Sequence, residues 1–503
     1  MIRAVGVRCL AIVLSLDSLR AGAEDSTSAS HASAEPVFPG VNWERETNGL
    51  SAATVRGVDA FVRTLDTTGL MVVRNGRVVY EYGDVKRLSY LASSRKSVLS
   101  MLYGANAASG KIRLQATLKE LGMSDVSGLL PIEERAKVID VITARSGIYH
   151  PVTQGIGLLY ELRFSACPGV ARPAAYPEPA WAPKRGSQEP GTHWRYFNWD
   201  FNTAGAVFER LTGKDIFDAL RDDLALPIGM QDFDRERQQK SGDQTRSQYP
   251  AYHMVLSTRD MARLGLLMLR QGKWRDRQII PAEWVRRSTS VRTSLDELRR
   301  AGSVELDRLG YGYLWWVWDG PLATGPYQEA YTSMGSYGQY LTVLPALDMV
   351  VAHKSCPPGD VSQGDYFRLL DLLTGTQPAS TAELASWPPR RAKVHAQPKA
   401  HIAVKLDPKD YDAYAGRYVM APDPKVQGTV TMTIKRNGDV LYRQVPGWFA
   451  QAIFPESETV FFNATEDEQL TFIKSDKGEV TGVIVEENGT FGESGRRELK
   501  REK

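Results

Sequence analysis

Apolar and polar positions change their rhythm several times along the chain. In GLMVVRNGRVVYEYGD (69–84), two runs of β-branched and aromatic residues flank Asn75-Gly76, which predicts a β-hairpin. From Ser93 to about residue 290 the apolar spacing becomes helical, with loops between the segments. The clearest segment is STRDMARLGLLMLRQGKW (257–274), an amphipathic helix closed near Gly272. Strand patterns return in GYGYLWWVWDG (310–320) and YGQYLTVLPALDMVVAHKS (337–355). Residues 149–192 follow neither period and are rich in Pro and Gly; structureless loops of that length tend to serve function. Past residue 403 short strand patterns are punctuated by Asn437-Gly438, Lys477-Gly478 and Asn488-Gly489, which predicts a small all-β barrel or sandwich.

Length and composition divide this pattern into parts. A chain of 503 residues calls for two or three domains. Hydrophobic residues make up 42% and charged residues 24%, the balance of a globular protein with a large core. A net charge of +3 without a long basic run argues against a nucleic-acid partner. Arg3 and Arg8, the apolar run Cys9–Leu16 and the small residues Ala21-Gly22-Ala23 read as a secretory signal over 1–23, cleaved after Ala23. That places the expected protein in the periplasm or outside the cell. The apolar run is too short to span a bilayer, so no stable membrane insertion is expected. Residues 24–40 read as a disordered linker, and TQPASTAELASWPPRRAKVHAQPKAH as a second one, over 377–403. With Cys9 lost in the signal, Cys167 and Cys356 remain, paired or free.

Candidate chemistry starts in LSYLASSRKSVLSMLYGANAASG (88–110). Lys96 is the only lysine with a serine, Ser93, three positions before it. On a helix that spacing puts both side chains on one face. Serine becomes a useful nucleophile when a base takes its proton, and a lysine serves only as the free amine, which requires burial. Val98, Leu99, Met101 and Leu102 are apolar enough to bury such a helix. Serine is equally a favoured N-cap, so this pair alone does not mark a nucleophile. In PGTHWRYFNWDFNTAGAVFERLTG (190–213), Tyr196 and Asn198 flank Phe197 just before an amphipathic helix. The phenol suits proton transfer and the amide suits orientation of a lysine or a carbonyl. In YTSMGSYGQYLTVLPALDMVV (331–351) a Gly-bearing turn borders a strand, where a backbone N–H can meet a bound carbonyl oxygen.

Ser-x-x-Lys, then Tyr-x-Asn, then a Gly-bearing strand is the ordered pattern of the β-lactamase and penicillin-binding serine hydrolases. The chain resembles their class C-like branch over roughly residues 45–375. That branch includes esterases, D-amino-acid peptidases and 6-aminohexanoate-dimer hydrolase. VITARSGIYH, LSTRDMARLGLLMLRQGKWRDRQIIPAEWV and GYGYLWWVW add to the resemblance. It implies an α+β fold, an antiparallel sheet flanked by a helical region, over 41–376. A small lipocalin-like β-barrel would follow over 404–503, where DYDAYAGRY resembles the start of such domains. It implies Ser93 as the acylated nucleophile and Lys96 as first-choice base, with Tyr196 sharing proton transfer. Which of the two starts acylation stays open. Asn198 would orient Lys96 or the substrate. Ser333-Met334-Gly335 would be the third motif, and the N–H groups of Ser93 and Ser336 the oxyanion hole.

Ser333 stands where β-lactamases carry lysine and many esterase relatives histidine. Losing a cation there argues against efficient hydrolysis of carboxylate-bearing lactams and leaves esters, amides and lactones. The expected function is therefore an exported serine hydrolase of small ester, amide or short-peptide substrates. The alternative is a non-catalytic binder of penicillins or cell-wall peptides on the same fold. The seven histidines lack metal-ligand spacing; His150 and His193 sit in loops near the expected site and read as structural. No metal or cofactor is expected, and no phosphate- or dinucleotide-binding motif occurs. The aromatic run YLWWVWD reads as alternating strand positions rather than a sugar platform.

Overall fold

The computed structural model describes residues 36–150, 183–242, 244–301, 308–355, 361–387, 401–421, 431–444, 450–463, 468–487 and 495–502. The expected signal, all three cysteines and most of the 149–192 loop lie outside the described residues.

The predicted hairpin forms: β1 (Thr67–Arg74) and β2 (Arg77–Gly83) pair antiparallel, with Arg74 opposite Arg77. Asn75 and Gly76 both adopt positive φ, 51° and 76°, the backbone that a two-residue hairpin turn requires. Five later strands complete one antiparallel sheet: β3 (Leu309–Tyr311), β4 (Trp316–Trp318), β5 (Tyr331–Gly335), β6 (Gln339–Leu344) and β7 (Met349–Ser355). Their order across the seven-stranded sheet is β2-β1-β7-β6-β5-β4-β3. The first hairpin thus pairs with the last strand, and the helical region is threaded between them as one long excursion.

Every residue of β6 and β7 is buried, so these strands carry helices on their faces. Three helices matter for the site. They are α2 (Arg95–Ala108), α3 (Asn198–Thr212) and α4 (Thr258–Leu269), between α1 (Ala52–Val62) and α5 (Gln363–Thr374) at the ends of the unit. The helix expected in 257–274 is α4. Ser257 caps it by accepting from the Asp260 N–H, and Gly272 turns the chain at φ 76°. One core joins Val72, Leu99, Phe201, Leu266 and Val351, each essentially unexposed.

The C-terminal part is a closed eight-stranded barrel. Its strands are β8 (Gly416–Met420), β9 (Thr431–Asn437), β10 (Val440–Gln444), β11 (Gln451–Pro455), β12 (Val460–Asn463), β13 (Glu468–Lys474), β14 (Val480–Glu487) and β15 (Gly495–Arg501). Pairing of Tyr418 with Arg501 closes it, which leaves no free sheet edge. A separate aromatic core of Tyr414, Tyr418, Phe461 and Phe472 fills the interior. The stretch read as a linker over 377–403 contains a short helix, Thr381–Ser386, held by a Ser380–Glu383 capping box.

Candidate active site

The chain reaches Ser93 along a strained path. Ala92 holds φ 48°, unusual for a residue with a Cβ, and Ala92–Ser94 form a single 3-10 turn before α2. Three bonds pin this corner. The Ser94 hydroxyl donates to Gln339 O (2.7 Å), the Ser97 hydroxyl to Leu314 O (2.6 Å), and Lys354 Nζ to Ser89 O (2.6 Å). The position of Ser93 is therefore fixed by the sheet, not only by its own helix.

Lys96 follows in the first turn of α2 and is 2% exposed. Its Nζ lies within hydrogen-bond distance of Ser93 Oγ (3.0 Å), Tyr196 Oη (2.5 Å) and Asn198 Oδ1 (2.9 Å). Nζ also lies 4.2 Å from the ring centroids of Tyr196 and Phe201. Burial, and then the neighbouring Arg95 charge, hold the amine well below the ordinary lysine range. Burial pushes the Tyr196 phenol up to about 12, against a smaller opposing pull from its hydrogen bond with Ser93. The shifts favour the free amine on Lys96, a form that can accept a proton, and the intact phenol on Tyr196, a form that can give one.

Tyr196 and Asn198 reach the site because Phe197 is extended (φ −129°, ψ 125°) and Asn198 opens α3. The third strand closes the other side. A Cβ on Gly335 would lie 2.4 Å from Leu91 O and 3.0 Å from the backbone N of Ser93 and of Ser94. Only glycine lets β5 come this close to the Ser93 turn. Just beyond it, Tyr337 sits at φ 65° and Gly338 at φ 82°.

A cleft of about 880 Å³ opens above Ser93, walled by Trp194, Tyr196, Trp316, Met334, Tyr337 and Tyr340 and by the first residues of α5. None of the described residues lining it is charged. The structure brings Ser93, Lys96, Tyr196, Asn198, Gly335 and Ser336 to one place. Ser333 is buried in β5, 2% exposed, and is not among the lining residues.

Neither expected loop histidine lines the cleft. His193 is exposed and pairs with the Thr192 hydroxyl at 2.8 Å. His150 is fully buried, 3.3 Å from Asp125 and 2.9 Å from the Ser127 hydroxyl. Asp125 also accepts from Trp199 Nε1 (2.7 Å), Ser247 Oγ (2.5 Å) and the Gln248 N–H (2.7 Å), so this cluster ties the helical region together. Of the lining aromatics, Trp194, Tyr337 and Tyr340 were not singled out by sequence. Trp194 stands two positions before Tyr196, and the two rings lie 6.4 Å apart. Trp316 came from the strand run read as alternating buried positions, and it is both: 8% exposed and part of the cleft wall.

The family described as Beta-lactamase matches residues 58–355, more than half of the chain. A domain of unknown function (DUF3471) matches residues 400–497. No curated protein matches the chain. Among solved structures, a putative 6-aminohexanoate-dimer hydrolase from Bacillus anthracis is 20% identical, with a TM-score of 0.43 over 61% of this chain and 77% of that one. The octameric penicillin-binding protein homologue from Pyrococcus abyssi is 15% identical, with a TM-score of 0.44 over 89% and 100%. A family VIII carboxylesterase is 14% identical, with a TM-score of 0.46 over 64% and 97%.

Proposed function

The chain belongs to the beta-lactamase family of serine hydrolases, and from that premise we propose that it cleaves ester or amide bonds of small substrates through an acyl-enzyme on Ser93. The observation that carries this reading is the buried Lys96 amine 3.0 Å from Ser93 Oγ, its pKa lowered by desolvation. In the proposed reaction Lys96 accepts the Ser93 hydroxyl proton as Oγ bonds to the substrate carbonyl carbon. The N–H groups of Ser93 and Ser336 receive the negative charge that develops on the carbonyl oxygen. The proton passes from Lys96 through Tyr196, 2.5 Å away, to the leaving oxygen or nitrogen as its bond to carbon breaks. Water then attacks the acyl ester, Lys96 again takes the proton, and the acid leaves as Ser93 is restored. Asn198 holds Lys96 in line throughout, at 2.9 Å.

The character of the cleft supports neutral substrates. Its described walls are aromatic and uncharged, and serine stands at position 333, so a substrate carboxylate would meet no cationic side chain among them. Weak or absent hydrolysis of penicillins and cephalosporins follows. The basic start and apolar run of residues 1–16 support an exported protein.

The test is intact mass after exposure to a fluorophosphonate, for wild type and Ser93→Ala, with turnover of p-nitrophenyl butyrate in parallel. The expected result is a single adduct, mapped to Ser93 and lost in the variant, with turnover reduced about 10⁴-fold or more. An adduct mapped to Ser127, which bonds His150, would place the reactive serine elsewhere. An adduct on Ser93 without ester turnover would favour the non-catalytic binder.

A further inference from the structure

The first turn of α2 buries two basic residues in a row. Arg95 is 5% exposed and Lys96 is 2% exposed. A buried guanidinium ordinarily comes with a carboxylate. Arg95 forms no ion pair with any described residue. Its Nη2 donates one long bond to Asn202 Oδ1 (3.4 Å), its Nε has no hydrogen-bond partner among the described residues, and its Cζ lies 4.7 Å from the Tyr252 ring centroid. Asp200, on the same helix as Asn202, accepts instead from the Ser146 hydroxyl at 2.5 Å, and burial drives its carboxyl toward the neutral form.

We propose that Arg95 is a positioning residue whose unneutralised charge, placed beside Lys96 inside the protein, keeps that amine in its free-base form. The inference rests on the reading of Lys96 as the acylation base. Arginine suits the task because it does not give up its own proton, so of two adjacent buried cations the lysine is the one that loses its charge. One face of the guanidinium lies over the Tyr252 ring, so its desolvation is partly met by the ring. The groups facing the pair leave the assignment intact. Tyr196 and Asn198 come from the entry to α3, Phe201, Asp200 and Asn202 from α3 itself, Tyr90 from the strand before Ser93, Tyr252 from the strand after α3, and Tyr311 from β3. Tyr196, Tyr252 and Tyr311 are held in their neutral form by burial. After burial itself, the Arg95 charge is the remaining cause that lowers Lys96.

The experiment is the pH dependence of kcat/KM on p-nitrophenyl butyrate for wild type, Arg95→Met, Arg95→Gln and Arg95→Lys. Activity rises with pH as Lys96 loses its proton, so removing the neighbouring charge moves this acid limb to higher pH. A shift of about one unit is expected in the two neutral variants, a roughly tenfold loss below the limb that is recovered on raising the pH. Arg95→Lys, whose amine can itself lose its proton in this buried site, should fall between wild type and the two neutral variants. A limb at the wild-type pH with activity lowered equally at all pH values in both neutral variants would overturn the proposal and leave Arg95 a packing residue. Two neutral variants guard against one failing to fold, and fluorophosphonate labelling at high pH counts the competent protein in each. Retained turnover in Ser93→Ala would instead overturn the acyl-enzyme reading itself.

Discussion

Lys96 makes three hydrogen bonds and forms no ion pair with any described residue. A surface lysine carries its charge at little cost in both the folded and the unfolded chain; burial makes that charge costly here, and the difference has a stability consequence. Because its folded-state pKa lies below the unfolded value, the unfolded chain binds more protons, and the penalty grows as pH falls. Lys96→Met is therefore expected to abolish ester turnover and yet raise stability by about 0.5–2 kcal/mol, more at pH 6 than at pH 9. Urea midpoints at the two pH values, read with activity, check both halves. A variant less stable than wild type at pH 6 would mean that the three hydrogen bonds outweigh desolvation. At this scale the sequence showed Ser93, Lys96, Tyr196 and Asn198 as residue types at telling spacings. It did not distinguish Arg95 from an ordinary surface arginine, because burial without a counter-ion is a property of the surroundings and not of the residue.

Between elements the decisive contact is β5 against the 3-10 turn at Ser93. Adding one carbon at position 335 requires β5 or the turn to move, since backbone atoms stand at 2.4 and 3.0 Å on the far side. Gly335→Ala is expected to cost about 1–3 kcal/mol of stability. It should lower kcat by about 10²-fold, since an ångström of misplacement at a reacting centre costs that much. Thermal unfolding and ester kinetics measure the two effects, and near-wild-type kcat would show that the strand does not set the oxyanion geometry. The hairpin at Asn75-Gly76 and helix α4 were legible because their signals are local: a turn dipeptide in one case, a cap and a 3.6-residue period in the other. Trp316 was half legible. Period alternation marks it as inward-facing but says nothing of whether inward means core or cleft.

Over the whole molecule, the catalytic unit and the barrel have separate hydrophobic cores. One polar contact between them is Asn463 Nδ2 donating to Gln239 Oε1 at 3.5 Å. Two units with separate cores should unfold in two steps. Differential scanning calorimetry is expected to resolve two transitions, of which a covalent fluorophosphonate adduct shifts only the one belonging to the catalytic unit. A single cooperative transition would mean that the seam couples the two units. The β, then α, then β order followed by regularly punctuated hairpins was enough to expect both architectures. The short helix Thr381–Ser386 was missed because Pro and small residues on either side outweigh one capping box.

By itself the sequence determined what is encoded locally or by order: the turn at residues 75–76, the caps and periods of the helices, the succession of three motifs, and the hairpin rhythm of the barrel. Those signals survive without a fold because each depends on neighbours a few positions away. Only the tertiary structure decided which side chains meet. It pairs the first hairpin with the last strand, brings Tyr196 to Lys96 from a hundred positions along the chain, and encloses Arg95 and Lys96 together. Ser-x-x-Lys is a spacing until burial removes water from the amine; the loss of that solvation, supplied by distant segments, is what lowers the lysine's hold on its proton.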